Sequence, residues 1–193
     1  MNTMRIANLF FTSAVLALPA STCPLEQSLG LSKSLHTPPS LSITEDRARA
    51  DRYESTECVQ FQTLTLKSSV GYLCATSSEE FLADAGIFSA LNDEPKDATT
   101  SRSQNFTVGT PMSEYAMTPR TMNGHTLYTA SVDCDVENTE IYRASGTCQV
   151  ALMPLENGRF LYSNFIVKNH VKATTYTNES DILALWKSVQ PAK

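Results

Sequence analysis

Apolar and polar positions alternate in long stretches of the second half of this chain. Across residues 125–132, Thr126, Tyr128, Ala130 and Val132 fall on one side, and His125, Leu127, Thr129 and Ser131 on the other. Period two is the mark of a β-strand, because successive side chains point to opposite faces. Residues 141–153 form a second run, rich in β-branched and small side chains. A third spans 160–167, with Phe160, Tyr162 and Ile166 on one face and Leu161, Phe165 and Val167 on the other. Both of its faces are apolar, which predicts a central strand covered above and below. Asn157-Gly158 lies in the turn between the second and third runs, and Asn123-Gly124 precedes the first. Both are hairpin signals, since positive φ costs Asn and Gly little, so the neighbours are expected to be antiparallel.

The first half carries a weaker version of the same pattern. Residues 58–66 and 70–75 read as a hairpin turning over Lys67-Ser68-Ser69, with Val59 and Phe61 on one face, Leu64 and Leu66 on the other, and room for a bulge. A helix follows. Ser77 and Glu80 make a capping box, and Phe81, Leu82, Ala85, Phe88 and Leu91 share a helical face, which predicts a helix ending near Leu91. Residues 92–104 are polar and aperiodic and read as a loop. Residues 106–108 and 114–117 read as short strands broken by Pro111 and Pro119. The last element is a helix opened by Asn178 or Ser180 and ended by Pro191. Its stripe is Ile182, Leu185, Trp186 and Val189 at i, i+3, i+4 and i+7, and the single tryptophan is expected to anchor the core. The expected class is therefore α+β: an antiparallel sheet with an amphipathic helix after the first hairpin and a C-terminal helix packed on the sheet. A hairpin followed by a C-terminal amphipathic helix is similar to the way PsbP-like domains end. The likeness spans about 35 residues and is one of topology, so it implies no function.

Composition changes the picture at the N-terminus. Residues 1–20 have one charge, Arg5, then a largely apolar stretch from Ile6 to Leu18, and Ala20 before the expected cut. That is the pattern of a secretory signal peptide. Residues 21–56 hold Pro24, Pro38, Pro39, many serines and the mixed-sign run 45–54, and read as a flexible tail on which Leu29, Leu31, Leu35, Leu41 and Ile43 dock at most locally. Residues 57–190 are then one domain. Export leads to an oxidising compartment, secreted or periplasmic, where cysteines pair. Cys58 with Cys74 and Cys134 with Cys148 are the expected bridges, each closing a short loop between adjacent strands, although four cysteines allow three pairings. A turn centred between Asn138 and Thr139 would set Cys134 opposite Arg143, so the second bridge needs a longer loop or a bulge. Cys23 is the odd cysteine. It is a candidate for lipidation and thus for a membrane anchor, although Thr22 stands where a lipoprotein signal carries a small residue.

Charge and motifs mostly exclude. The net charge is −5, falling to −6 without Arg5, which argues against a nucleic-acid partner. No apolar run outside the N-terminus is long enough for an internal transmembrane segment. No cofactor or metal is expected, because no C-x-x-C occurs and no histidine has ligand spacing to a cysteine. The histidines are His36, His125 and His170, and no G-x-S-x-G, S-x-x-K or H-E-x-x-H surrounds them. A site assembled in space from His125 or His170 would make the chain a hydrolase. The acidic stretch Asp133, Asp135, Glu137 and Glu140 is the candidate partner-binding surface, set against the plainer reading of a solvated loop. It is not an EF-hand, since Asn138 and Ala144 stand where that loop needs Gly and Glu. Asn105-Phe106-Thr107 and Asn178-Glu179-Ser180 match the N-glycosylation pattern. The leading expectation is an exported, non-catalytic protein that binds another macromolecule, in the manner of an inhibitor or immunity protein. The alternatives are a secreted hydrolase and a structural envelope lipoprotein anchored at Cys23. N-terminal sequencing of the exported protein should begin at Ser21; a chain still starting at Met1 would remove the basis for export, and a diacylglyceryl group on Cys23 would favour the lipoprotein.

Overall fold

The third alternating run is where the fold begins. In the computed structural model, which describes residues 25–64, 69–90, 105–110, 113–135, 146–170 and 174–192, it forms a strand flanked on both sides. In chain order the elements are α1 (Leu25–Ser28), β1 (Leu41–Glu45), α2 (Arg47–Ala50), β2 (Thr56–Thr63), β3 (Ser69–Thr76), α3 (Glu79–Asp84) and β4 (Ile87–Ala90). There follow β5 (Asn105–Gly109), β6 (Glu114–Ala116), β7 (Thr118–Met122), β8 (His125–Cys134) and β9 (Gly146–Pro154). The last are β10 (Phe160–Asn169), β11 (Thr174–Thr175) and α4 (Glu179–Ser188). The main sheet runs β1-β2-β3-β10-β9-β8-β7, with β11 on the end of β10, and β4-β5-β6 make a smaller sheet. All the pairings are antiparallel. The fold is α+β, with α3 after the first hairpin and α4 packed on the sheet.

Alternation along β10 sends side chains into two cores. Leu161 and Phe165 join Phe61, Leu73, Leu127 and Met153 under α4, whose Ile182, Leu185 and Trp186 are buried there. Tyr162 points the other way, to Leu152, Tyr128 and Val150, beneath Phe81 of α3 and Phe106 and Val108 of the small sheet. Trp186 is 1% exposed and its indole Nε1 donates to Ser163 Oγ at 3.0 Å, so the one polar atom of the ring is satisfied inside the core. Aromatic rings meet edge to face on the second side, Phe81 with Tyr162 at 5.6 Å and Phe106 with Tyr128 at 4.8 Å.

Both expected bridges are present. Cys58 sits directly opposite Cys74 in the β2–β3 ladder, with Cα atoms 4.1 Å apart. Cys134 faces Gly146 and Cys148 faces Val132, so the second bridge is diagonal, with Cα atoms 5.8 Å apart. The register is not the one set by a turn at Asn138–Thr139: Cys134 is opposite Gly146 rather than Arg143, which leaves Cys148 only two positions along the partner strand and within reach. In the chain-entropy model each bridge contributes about 3 kcal/mol. The β7–β8 turn is the expected one, with Asn123 at φ 52° and Gly124 at φ 81°. Its Asn123 Nδ2 also donates to the carbonyls of Lys187 and Val189, at 2.9 and 2.8 Å, and so ties the turn to the end of α4.

Four local expectations are corrected. The helix after the first hairpin stops at Asp84. Gly86 adopts φ 71°, and β4 starts at Ile87, so Phe88 is on a strand and 52% exposed. A short strand after a helix can mimic one more helical turn, because Phe88 is three residues from Ala85. The cap is Ser78, whose Oγ accepts from the N–H of Phe81 at 3.2 Å, rather than Ser77 with Glu80. β2 ends at Thr63 after a register shift at Phe61/Gln62, and Leu64 is exposed. Pro119 does not break a strand but lies within β7 on the sheet edge.

The segment read as a flexible tail is integrated into the fold from residue 25 onward. Leu29, Leu31, Leu35 and Leu41 are buried in the core beneath α4. β1 pairs with β2, and the backbone bridges Leu31 to Pro191. Leu29, Leu31 and Leu35 lack a repeat because they enter the core from outside any regular helix or strand, and such backbone carries no periodic signature. In α2, Asp46 caps the helix through its Oδ1, and the Arg49 guanidinium lies 3.6 Å from the centre of the Tyr72 ring. Arg47, Asp51 and Arg52 of that run are exposed, whereas Tyr53 is buried in the second core against Phe81. Residues 1–24, including the expected signal peptide and Cys23, the expected loop at 92–104 and the turn residues Lys67-Ser68 lie outside the described residues.

Truncating Trp186→Ala should destabilise the protein by about 3–5 kcal/mol, the range for a large buried aromatic, as a lower midpoint in thermal circular dichroism. A second expectation concerns alkaline pH. Burial, with the neighbouring Tyr72, pushes the Tyr162 phenol well above its ordinary value of 10.0. The unfolded chain then ionises first, so stability is complete below about pH 10 and falls as pH rises towards the folded-state value. Tyr162→Phe should lessen that alkaline decline relative to its own neutral stability; an identical pH profile would show that Tyr162 is not its source.

Candidate functional site

β7 and β8 are hairpin partners of unequal length, and the difference opens a groove. The two-residue turn makes Met122 and His125 the closing hydrogen-bonded pair, and pairs of the two kinds then alternate outward. By that count Arg120–Leu127 and Thr118–Thr129 are hydrogen-bonded, while Pro119–Tyr128 is not. Pro119, which lacks an N–H, thus falls where the edge strand needs none from it. The odd-numbered residues of β8 direct their main-chain groups towards β7, and the even-numbered ones towards β9.

The partner then runs out. β7 begins at Thr118, and Met117, which is buried, donates its N–H to the carbonyl of Phe106 in the small sheet. The chain before Thr118 therefore belongs to the small sheet as β6, while β8 continues alone from Ala130 to Cys134. Among the described residues, the main-chain N–H and C=O of Ser131 and Asp133 face this open edge with no strand hydrogen-bonded to them, and β6 lies across the gap. A concavity of about 470 Å³ lies there, open to solvent and lined mainly by polar atoms. Glu114 and Tyr115 of β6, Arg120 of β7, Ser131 of β8 and Glu179 at the start of α4 are among its walls. Tyr115 Oη donates to Asp133 Oδ2 at 3.0 Å, fixing the acid at the end of the groove.

Of the acidic residues expected to bind a partner, Asp133 and Asp135 are exposed at the open end of β8. Glu137 and Glu140 lie outside the described residues. Cys134, half-buried between the two aspartates, is held to β9 by its disulfide. The histidines do not converge. His36 is exposed, and its backbone N–H donates to Ser188 Oγ. His125 opens β8, whereas His170 follows β10 beside the far end of β8, with Nε2 2.9 Å from Thr147 Oγ1. Since Asn169 lies in the row of Gly146 and Cys134, the two rings are roughly 30 Å apart along the strands. That is far beyond the hydrogen-bond reach at which a triad's members work. Among the described residues, no group of three or more His, Cys, Asp or Glu is placed to hold a metal ion. No described helix is long and apolar enough to cross a membrane.

Nothing in the sequence singles out Glu114, Tyr115, Arg120, Ser131 and Glu179 as site residues. They come from four separate elements, and nothing in their spacing links them. The signal that could have found the groove was the ten-residue alternation after Asn123-Gly124, set against a partner interrupted within a few residues by proline. No protein-family model, no curated protein and no solved structure matches this chain.

Proposed function

We propose that this is an exported, non-catalytic protein that acts by binding another macromolecule in the envelope or outside the cell, as an inhibitor or immunity protein does. The observation that supports this reading is the groove beside β8: open, polar and bounded by main-chain groups that pair with no strand among the described residues. A small-molecule site encloses most of its ligand in a largely apolar cavity, whereas an open polar groove suits a segment of a larger partner. The two disulfides join neighbouring strands, which suits a rigid binding surface and an oxidising, secreted or periplasmic setting. An acyl chain on Cys23 would add a membrane tether to the same activity.

The test is selection of displayed peptides and extracellular proteins against the oxidised chain, with Ser131→Arg as counter-target, its long side chain filling the groove. Binders should weaken by about tenfold or more on Ser131→Arg, as expected for a blocked contact centre, while the melting midpoint of the protein stays the same. Binders indifferent to the substitution would place recognition elsewhere. Hydrolysis of a selected ligand would bring back the hydrolase alternative.

A further inference from the structure

Given that reading of the groove, on which this inference rests, we infer that its occupant is an extended segment carrying Lys or Arg at alternate positions, added to β8 as a strand. The main chain supplies the first reason. Ser131 and Asp133 each offer one N–H and one C=O to the open edge, so an antiparallel strand in the line of β7 can make a ladder of four hydrogen bonds. Residues 130–134 extend over roughly 17 Å, room for about five residues of a partner.

Charge supplies the second reason. Among the described residues, Glu114 and Glu179 line the groove and Asp133 lies at its end, against one lining cation, Arg120. Partner residues opposite Ser131 and Asp133 share the face of those two side chains, because directly paired residues point the same way. A Lys-x-Lys spacing therefore sets both cations on the acidic side. The intervening residue x lies over Val132, on the side of the second core, and is best small or apolar. The same charges disfavour a second copy of this chain, which would bring acidic edge against acidic edge.

The experiment is a backbone-amide NMR titration of the oxidised chain with the capped heptapeptide Thr-Lys-Val-Lys-Val-Lys-Thr. Two N-methylated forms, one methylated at the lysines and one at the valines, and a form with Glu for Lys complete the set. Shifts should centre on residues 130–134 and Thr118. One methylation pattern should weaken binding by about tenfold or more, because its methyl groups replace the ladder donors, while the other changes it little. The Glu peptide should bind at least about tenfold more weakly, and Asp133→Asn should weaken the Lys peptide less at high salt than at low. Equal affinity of the two methylated forms, with shifts still at β8, would overturn strand addition and leave the groove as the binding site. Absence of peptide binding, while selected ligands remain sensitive to Ser131→Arg, would overturn the basic segment alone. Ligand shifts confined to another surface would overturn both readings, and concentration-dependent dimerisation through β8 would replace the basic segment by a second copy of the chain.

Discussion

From Leu161 to Phe165 strand β10 is covered on both faces, and much of the structure follows from that covering. Leu161 and Phe165 need a layer on one side of the sheet, and Tyr162 needs one on the other. On the first side the layer is α4 together with the leucines of residues 29–41. The Trp186–Ser163 hydrogen bond lets the largest side chain of that layer lie flat in an apolar core without leaving its N–H unpaired. On the second side the layer is made from α3 and the small sheet. Neither layer could be removed without exposing one face of a strand that is apolar on both.

The groove is a consequence of that second layer. The chain is required in the small sheet up to Met117 and in the main sheet from Thr118, so it must leave the edge of β8 partway along. Among the described residues, a strand ten residues long is consequently paired on its outer side over only half its length. Proteins usually blunt such edges with proline, charge or short strands. Here proline and arginine sit on β7, where the edge is the sheet's true border, while the uncovered half of β8 carries serine and aspartate beside a concavity. The disulfide at Cys134 pins this uncovered half to β9, which keeps its register fixed without an outer partner.

Much of the architecture was legible along the chain, because strand period, turn residues and helical stripes are local properties. The two faces of β10, the Asn-Gly turn before His125 and the stripe of α4 could be read directly, and the two cysteine pairs were the favoured of three pairings because each joins neighbouring strands. The helix after the first hairpin was read too long, since Phe88 continues its spacing by coincidence, and only the positive φ of Gly86 and the pairing of β4 with β5 resolve it. Leu29, Leu31 and Leu35 lacked any period, and their burial is a matter of where an irregular segment is laid down.

The functional surface divides in the same way. Read alone, the sequence places acidic residues at the end of a strand and shows the histidines in none of the common catalytic motifs. It took the tertiary structure to show that β8 outlasts its partner, that Glu179 from the far end of the chain lines the same concavity as Glu114, and that His125 and His170 stand at opposite ends of β8's length. The physical reason is that periodicity reports which face a residue occupies, whereas a groove depends on where two sheets part company. That is set by long-range pairings, which leave no mark on the spacing of the residues that line it.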